Sequence, residues 1–238
     1  MKTLAIETSA IAASTALMED GKLLGEFYLN TDLKHSKTLM LSVESLLKYA
    51  KCNIADIDLF AVANGPGSFT GLRIGIAALK GMAMGLNKPC ISVSSLHAMA
   101  CAFSFLNAII CCVMDARCGQ VYNAIFESSE LGIARKTQDR VISTKNLILE
   151  LSSYKEKIFL VGDGADLCYN EIKCNLYNIF LVDENLKYQR AYGVAKAAEL
   201  LFKQGIALNA SEIIPLYLRI PQAERELKQR KDKGAENL

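Results

Sequence analysis

The stretch NGPGSFTGLRIGIAALKGMAMG, Asn64–Gly85, constrains the chain more than any other: it holds six of the 15 glycines and two charges, Arg73 and Lys80. A glycine turn opening a long helix is a common phosphate cradle, because small residues let backbone amides reach the oxygens. Spacing tests the known versions. A Walker loop needs Gly-x4-Gly-Lys-Ser/Thr, but five residues separate Gly65 from Gly71 and Leu72 stands where lysine is required. A dinucleotide fingerprint needs GxGxxG, and this stretch reads GxGxxxG. A nucleophile elbow needs GxSxG, and Pro66 precedes Ser68. An anion at the free amides of the helix N-terminus is the phosphate chemistry left open.

The helix expected over Ser68–Leu86 spends four glycines, each costing ~1 kcal/mol against alanine. Gly67, Gly71 and Gly75 recur every fourth residue, forming a ridge that another element can approach closely. Apart from Arg73 and Lys80 the helix is apolar or small, whereas a surface helix carries a broad polar face. Those two charges would each cost ~2.5–3.5 kcal/mol at a bilayer centre, and no second span exists, so a membrane helix is rejected. One alternative is a central helix of a compact lobe. The sharper expectation is one face on its own sheet and another on a partner protein. His35–Lys51 has helical period, with Leu39, Val43, Leu46, Leu47 and Ala50 on one face, and Met40 and Leu41 widen its apolar surface. Two such helices suggest a helix-pair docking surface.

Elsewhere the pattern reads as α/β. Lys2–Glu7, Ser14–Met18 and Lys22–Leu29 form a meander around the turn EDG, and Asp58–Asn64 and Cys90–Val93 are strands. Ser94 or Ser95 caps a helix to about Leu106. The pattern then restarts: Ala108–Met114 ends beside Asp115 as the first strand ends at Glu7, and Gln120–Phe126 loosely repeats Ala12–Met18. An ungapped comparison sets Ala16 against Ala124, a single match that leaves an internal duplication as open as its absence. Arg140–Ile142, Ser143–Leu151, Ile158–Gly162 and Tyr192–Lys203 continue as strand, helix, strand and late helix. The lobes are expected at 1–107 and 108–221, with a mobile charged tail at 222–238. At 238 residues and 51% hydrophobic the chain can bury a sizeable core. A net charge of +2 argues against a protein that coats nucleic acid by charge alone. Eight cysteines without CxxC or metal spacing, behind a start unlike a signal peptide, read as reduced thiols of a cytoplasmic protein.

LAIETS, HSKTLMLSVESLL, GPGSFTGLRIGIAALKGMAMGL, SVSSLHAMA and PLYLRIPQAE resemble, in order and spacing, the bacterial TsaB (YeaZ) proteins. The resemblance covers most of 1–100 and a segment near the C-terminus; 120–210 carries no matching motif. It implies an actin, Hsp70 and sugar-kinase-like fold of two related lobes, each a mixed sheet with flanking helices. It also implies a role in making threonylcarbamoyladenosine beside the anticodon of tRNAs that read codons starting with A. Members pair with the transferase subunit TsaD, joined by the ATPase TsaE, so tRNA is met indirectly. The resemblance places the pairing helices at His35–Lys51 and Ser68–Leu86. Partner-binding residues are expected at His35, Leu39, Met40, Val43, Leu47, Phe69, Gly71, Arg73, Ile74, Gly75 and Ala78.

The transferase relatives carry an HxxxH metal motif whose positions here hold Ser95 and Met99, with His97 between, so no metal is expected. The fold's first phosphate turn, usually Asp-x-Gly, reads Glu7-Thr8-Ser9, and the second corresponds to Asp115-Ala116-Arg117; both lack the glycine for close phosphate approach. Glu7, Thr8, Ser9 and Asp115 are therefore a vestigial nucleotide site, with weak or interface-shared ATP or ADP the cofactor binding left to it. Val161-Gly162-Asp163-Gly164 is either an adenosine-turn remnant or, preferred here, a strand-to-helix loop. The expected role is a non-catalytic scaffold, a pseudoenzyme. The competing readings are a kinase-like or peptidase-like enzyme and a self-associating homodimer. Lys228, Arg230, Lys231 and Lys233 are offset by Glu224, Glu226, Asp232 and Glu236, so the tail reads as solvated.

Overall fold

The structure is a computed structural model that describes residues 1–31, 33–172 and 176–219; the tail expected at 222–238 lies outside them. Strands β1 (Lys2–Glu7), β2 (Ala13–Glu19) and β3 (Lys22–Leu29) form the meander. Asp20 and Gly21, both left-handed (φ 48° and 82°), make the turn that matches strand twist. Beyond it lie α1 (His35–Tyr49), β4 (Leu59–Gly65), α2 (Phe69–Leu86), β5 (Cys90–Ser94) and α3 (Ser95–Ala102). The sheet order is β3-β2-β1-β4-β5, with β4 and β5 parallel to β1. Leu4 and Ile6 point to the face covered by α1 and α2, and Ala5 to the opposite face. The Ser68 hydroxyl accepts from Gly71 N to start α2, and left-handed Asn87 (φ 49°) ends it. Helix α3 stops short of Leu106 because Phe103 leaves helical geometry and buries its ring.

The second half comprises β6 (Ala108–Asp115), β7 (Gln120–Ser129), β8 (Gly132–Arg135), β9 (Arg140–Ser143), α4 (Thr144–Leu151), β10 (Ile158–Val161), α5 (Ala165–Ile172), β11 (Ile179–Leu181), α6 (Glu184–Lys187) and α7 (Ala191–Lys203). Its sheet runs β8-β7-β6-β10-β11, with β9 also on β7. Both halves are thus a meander, a helix, and two parallel strands joined by a helix. The duplication is architectural, and the ungapped comparison is one residue out of step. Glu7 pairs with Ser14, so Ala16 faces Ala5; Asp115 pairs with Val121, so Asn123 faces Val113 and takes the place of Ala16. The second hairpin loop is one residue shorter.

The lobe ranges need one correction. Helix α7 follows the second lobe in sequence but packs on the first sheet, where Ala191, Val194, Ala195 and Ala198 meet Ala5, Ala16, Ile91 and Val93. Glu26 of β3 draws it there: Oε1 accepts from Tyr192 N (3.1 Å), and Oε2 takes the Arg190 guanidinium at 2.6 Å. Gly193 lets the Ala98 carbonyl of α3 approach closely. Helix α3 in turn sends Leu96 and Met99, and the turn after it Phe103, into the core of the second lobe.

Candidate functional site: the interlobe cleft and the outer flank of α2

The glycine ridge is filled from within the chain. A Cβ at Gly67 would collide with Ser9 O, at Gly71 with Thr8 O, and at Gly75 with Thr8 Oγ1. Ser68 N donates to Ser9 O (2.6 Å) and Thr8 Oγ1 to Gly71 O (2.9 Å). The ridge therefore seats the end of β1, and Gly71 and Gly75 are not partner-binding residues. Leu39, Val43 and Leu47 are likewise buried in the core beneath α1. The outward side of α2 differs: Thr70, Arg73, Ala77, Gly81, Met84 and Gly85 are exposed, and Ile74 and Ala78 half-buried. A Cβ at Gly81 or Gly85 would meet open space. Neighbouring α1 exposes Met40 by 49% and Leu41 by 62%. Phe69 stacks on Tyr217 (centroids 4.6 Å apart), with the Arg73 guanidinium 3.8 Å over its ring. His35 Nε2–H donates to Ala10 O at 2.8 Å and so ties α1 to the first hairpin turn.

Between the lobes lies a cleft of about 570 Å³ whose walls include Ser9, Ser68, Phe69, Asp115, Asp163 and Arg219. Glu7 sits fully buried at the end of β1, Oε1 accepting from Ser9 N at 2.5 Å. Burial pushes its carboxyl pKa from 4.5 up to about 7, with nearby Asp163 adding to the rise. Asp163 is itself raised, first by burial, while its Oδ1 accepts from Gln189 Nε2 at 2.8 Å. Asp115 is exposed and accepts from Arg117 N at 2.7 Å. Thr8 lies buried with its hydroxyl committed to Gly71 O. The four sequence-expected residues thus gather at the lobe junction, with Glu7 and Thr8 drawn inside. In the cleft Asp115 and Asp163 set carboxylates against phosphate, while Arg117 and Arg219 line it as well. No group of three His, Cys, Asp or Glu among the described residues could hold a metal.

Val161–Gly164 is a strand-to-helix turn, yet its Asp163 reaches the cleft. The sequence sets Asp163 in a preferred loop and Tyr217 and Arg219 in the motif PLYLRIPQAE without a site role, and it does not single out Gln189. An acid between two glycines after an apolar run was the signal for Asp163; Gln189 had none. Ser95 and Met99 are buried in α3, and His97 stacks on Phe126 (5.7 Å, 10° between planes), its pKa lowered by burial.

Two lobes of one repeated topology around a cleft define an α/β protein of the actin and sugar-kinase-like class. Residues 25–226 match the family model described as TsaD: tRNA N6-adenosine threonylcarbamoyltransferase. The tRNA threonylcarbamoyladenosine biosynthesis protein TsaB of Escherichia coli (strain K12) is 30% identical over 230 residues, covering 95% of this chain and 98% of the relative. The protein of the same description from Bacillus subtilis (strain 168) is 27% identical, over 94% and 96% respectively. The solved structure of YeaZ from Pseudomonas aeruginosa superposes with a TM-score of 0.78 at 25% identity, covering 91% of this chain and 99% of that one. The chain belongs to the TsaB (YeaZ) family.

Proposed function

We propose that this chain is a non-catalytic subunit that pairs, through the outer flank of α2 and the exposed side of α1, with a TsaD-type threonylcarbamoyltransferase. The role in threonylcarbamoyladenosine modification of tRNA rests on family membership. The finer reading is carried by the flank from Thr70 to Gly85, apolar or small save for Thr70, Arg73 and Lys80, with room at Gly81 and Gly85 for a second backbone. The eroded phosphate turns and the inward commitment of Glu7 and Thr8 support a subunit that positions an enzyme. A TsaE-type ATPase would join the pair, tRNA would be met through the complex, and the compartment would be the cytoplasm.

Co-expression with the transferase subunit of the same cell, followed by gel filtration, tests the pairing. Gly81→Glu should fold normally and bind at least about 30-fold more weakly, since a charge driven into an apolar contact costs about 2 kcal/mol or more. Unchanged binding by that variant overturns the assignment of the flank. Threonylcarbamoyl transfer by this chain without the transferase subunit overturns the non-catalytic reading. Self-association through the same flank would appear as a dimer that Gly81→Glu dissolves, with no transferase bound.

A further inference from the structure

The segment after Glu212 leaves the first lobe, crosses the cleft and touches the second. Its beginning is firmly anchored: Ile213 is buried in the core beneath α1 and α2. Asn64 Nδ2 donates to Ile214 O (3.3 Å) and Leu216 N to Asn64 O (2.7 Å). Gly65 gives the Leu216 carbonyl its place, since a Cβ there would collide with it. Tyr217 then stacks on Phe69, and its hydroxyl accepts from Arg73 Nε at 3.0 Å. The far end differs. Arg219 Nη1 donates to Ala116 O and, at 3.4 Å, to Arg117 O. These carbonyls belong to the β6–β7 turn, where Arg117, Cys118 and Gly119 all have positive φ. Leu216, Tyr217, Leu218 and Arg219 form one wall of the cleft.

We propose that Ile213–Arg219 is a latch: its root is built into the first lobe, and the Arg219 guanidinium is the catch that holds the turn of the second. With the catch engaged the cleft stays closed over Ser9, Asp115 and Asp163; with it released the lobes part at this mouth and the cleft admits solutes, while Leu96, Met99 and Phe103, seated in the second core, hold the far side as the hinge. Many anchoring contacts at one end and a single side chain at the other make the catch the weakest link across the cleft. A guanidinium suits the task because its planar fork reaches adjacent carbonyls, which a lysine ammonium reaches less well. The latch stands whether or not a partner docks on α2.

The test is single-molecule energy transfer on the full chain, with dyes placed bio-orthogonally at exposed Lys22 and Glu130, one in each lobe. The unaltered chain should show one narrow, high-transfer population. Arg219→Ala should raise the ratio of open to closed molecules about tenfold, the factor carried by one charge-assisted hydrogen bond, and Arg219→Lys should fall between. Tyr217→Ala, which loosens the root, should open the lobes similarly. Amide exchange over 116–120 should quicken by a like factor in the alanine variants, with exchange in β6 and β10 unchanged to show an intact fold. Open fractions identical in all four proteins, or exchange at 116–120 unmoved by Arg219→Ala, would overturn the latch.

Discussion

Glu7 ends the first strand as a carboxyl group with no exposed surface, and its environment favours the proton. Below the ordinary value of 4.5 folded and unfolded chains both hold that proton. Between there and about 7 only the folded chain keeps it, so stability declines as pH rises through this window and levels off above it. The full drop is on the order of 3 kcal/mol. Asp163, raised for the same reason, adds in the same direction. Urea unfolding at a series of pH values should show the decline, and Glu7→Gln should remove most of it and be the more stable protein at pH 8. Cys118 offers a separate residue-scale test, since it holds a left-handed φ of 55° in the turn next to Gly119. Cys118→Gly should stabilise the fold by up to about 1 kcal/mol in the same assay. The place of Glu7 at a strand end was readable from sequence. Its burial was not, because Asp163 comes near it only through the folded second half.

Helix α2 shows how one residue type serves two ends within one element. Gly71 and Gly75 face β1, and Gly81 and Gly85 face outward. Alanine at Gly75 collides with the Thr8 side chain and should cost several kcal/mol, by the overpacking it forces. Alanine at Gly81 meets nothing and should gain ~1 kcal/mol from helix propensity. Opposite signs in chemical denaturation would separate the two sets. Fourfold spacing marks the ridge in the sequence, but spacing does not say which neighbour fills it, and the structure puts the end of β1 there. Long elements with a clear period, α1, α2 and the meander, could be read to within a residue or two. Elements β8, α5, β11 and α6 could not; length alone is not the reason, since β10 is as short and its unbroken run Ile158–Val161 shows as a strand.

At the scale of the molecule, the restart at Ala108 was visible because Asp115 repeats the position of Glu7. The one-residue difference in hairpin length hid the rest of the repeat. The return of α7 to the first sheet left no local trace, since it depends on Glu26 meeting Arg190 and Tyr192. Glu26 is 5% exposed at its side chain, so Glu26→Ala strands the Arg190 charge and a helix-start amide together. A loss of about 3 kcal/mol should follow, with amide exchange in α7 released before that in α1. A chain cut after residue 107 leaves Ala5, Ala16, Ile91 and Val93 without the helix that covers them, and should be recovered as aggregate. Synthesis therefore runs against assembly: the earlier-made half waits on the ribosome, one side of its sheet uncovered, until the residues of Ala191–Lys203 have followed it out.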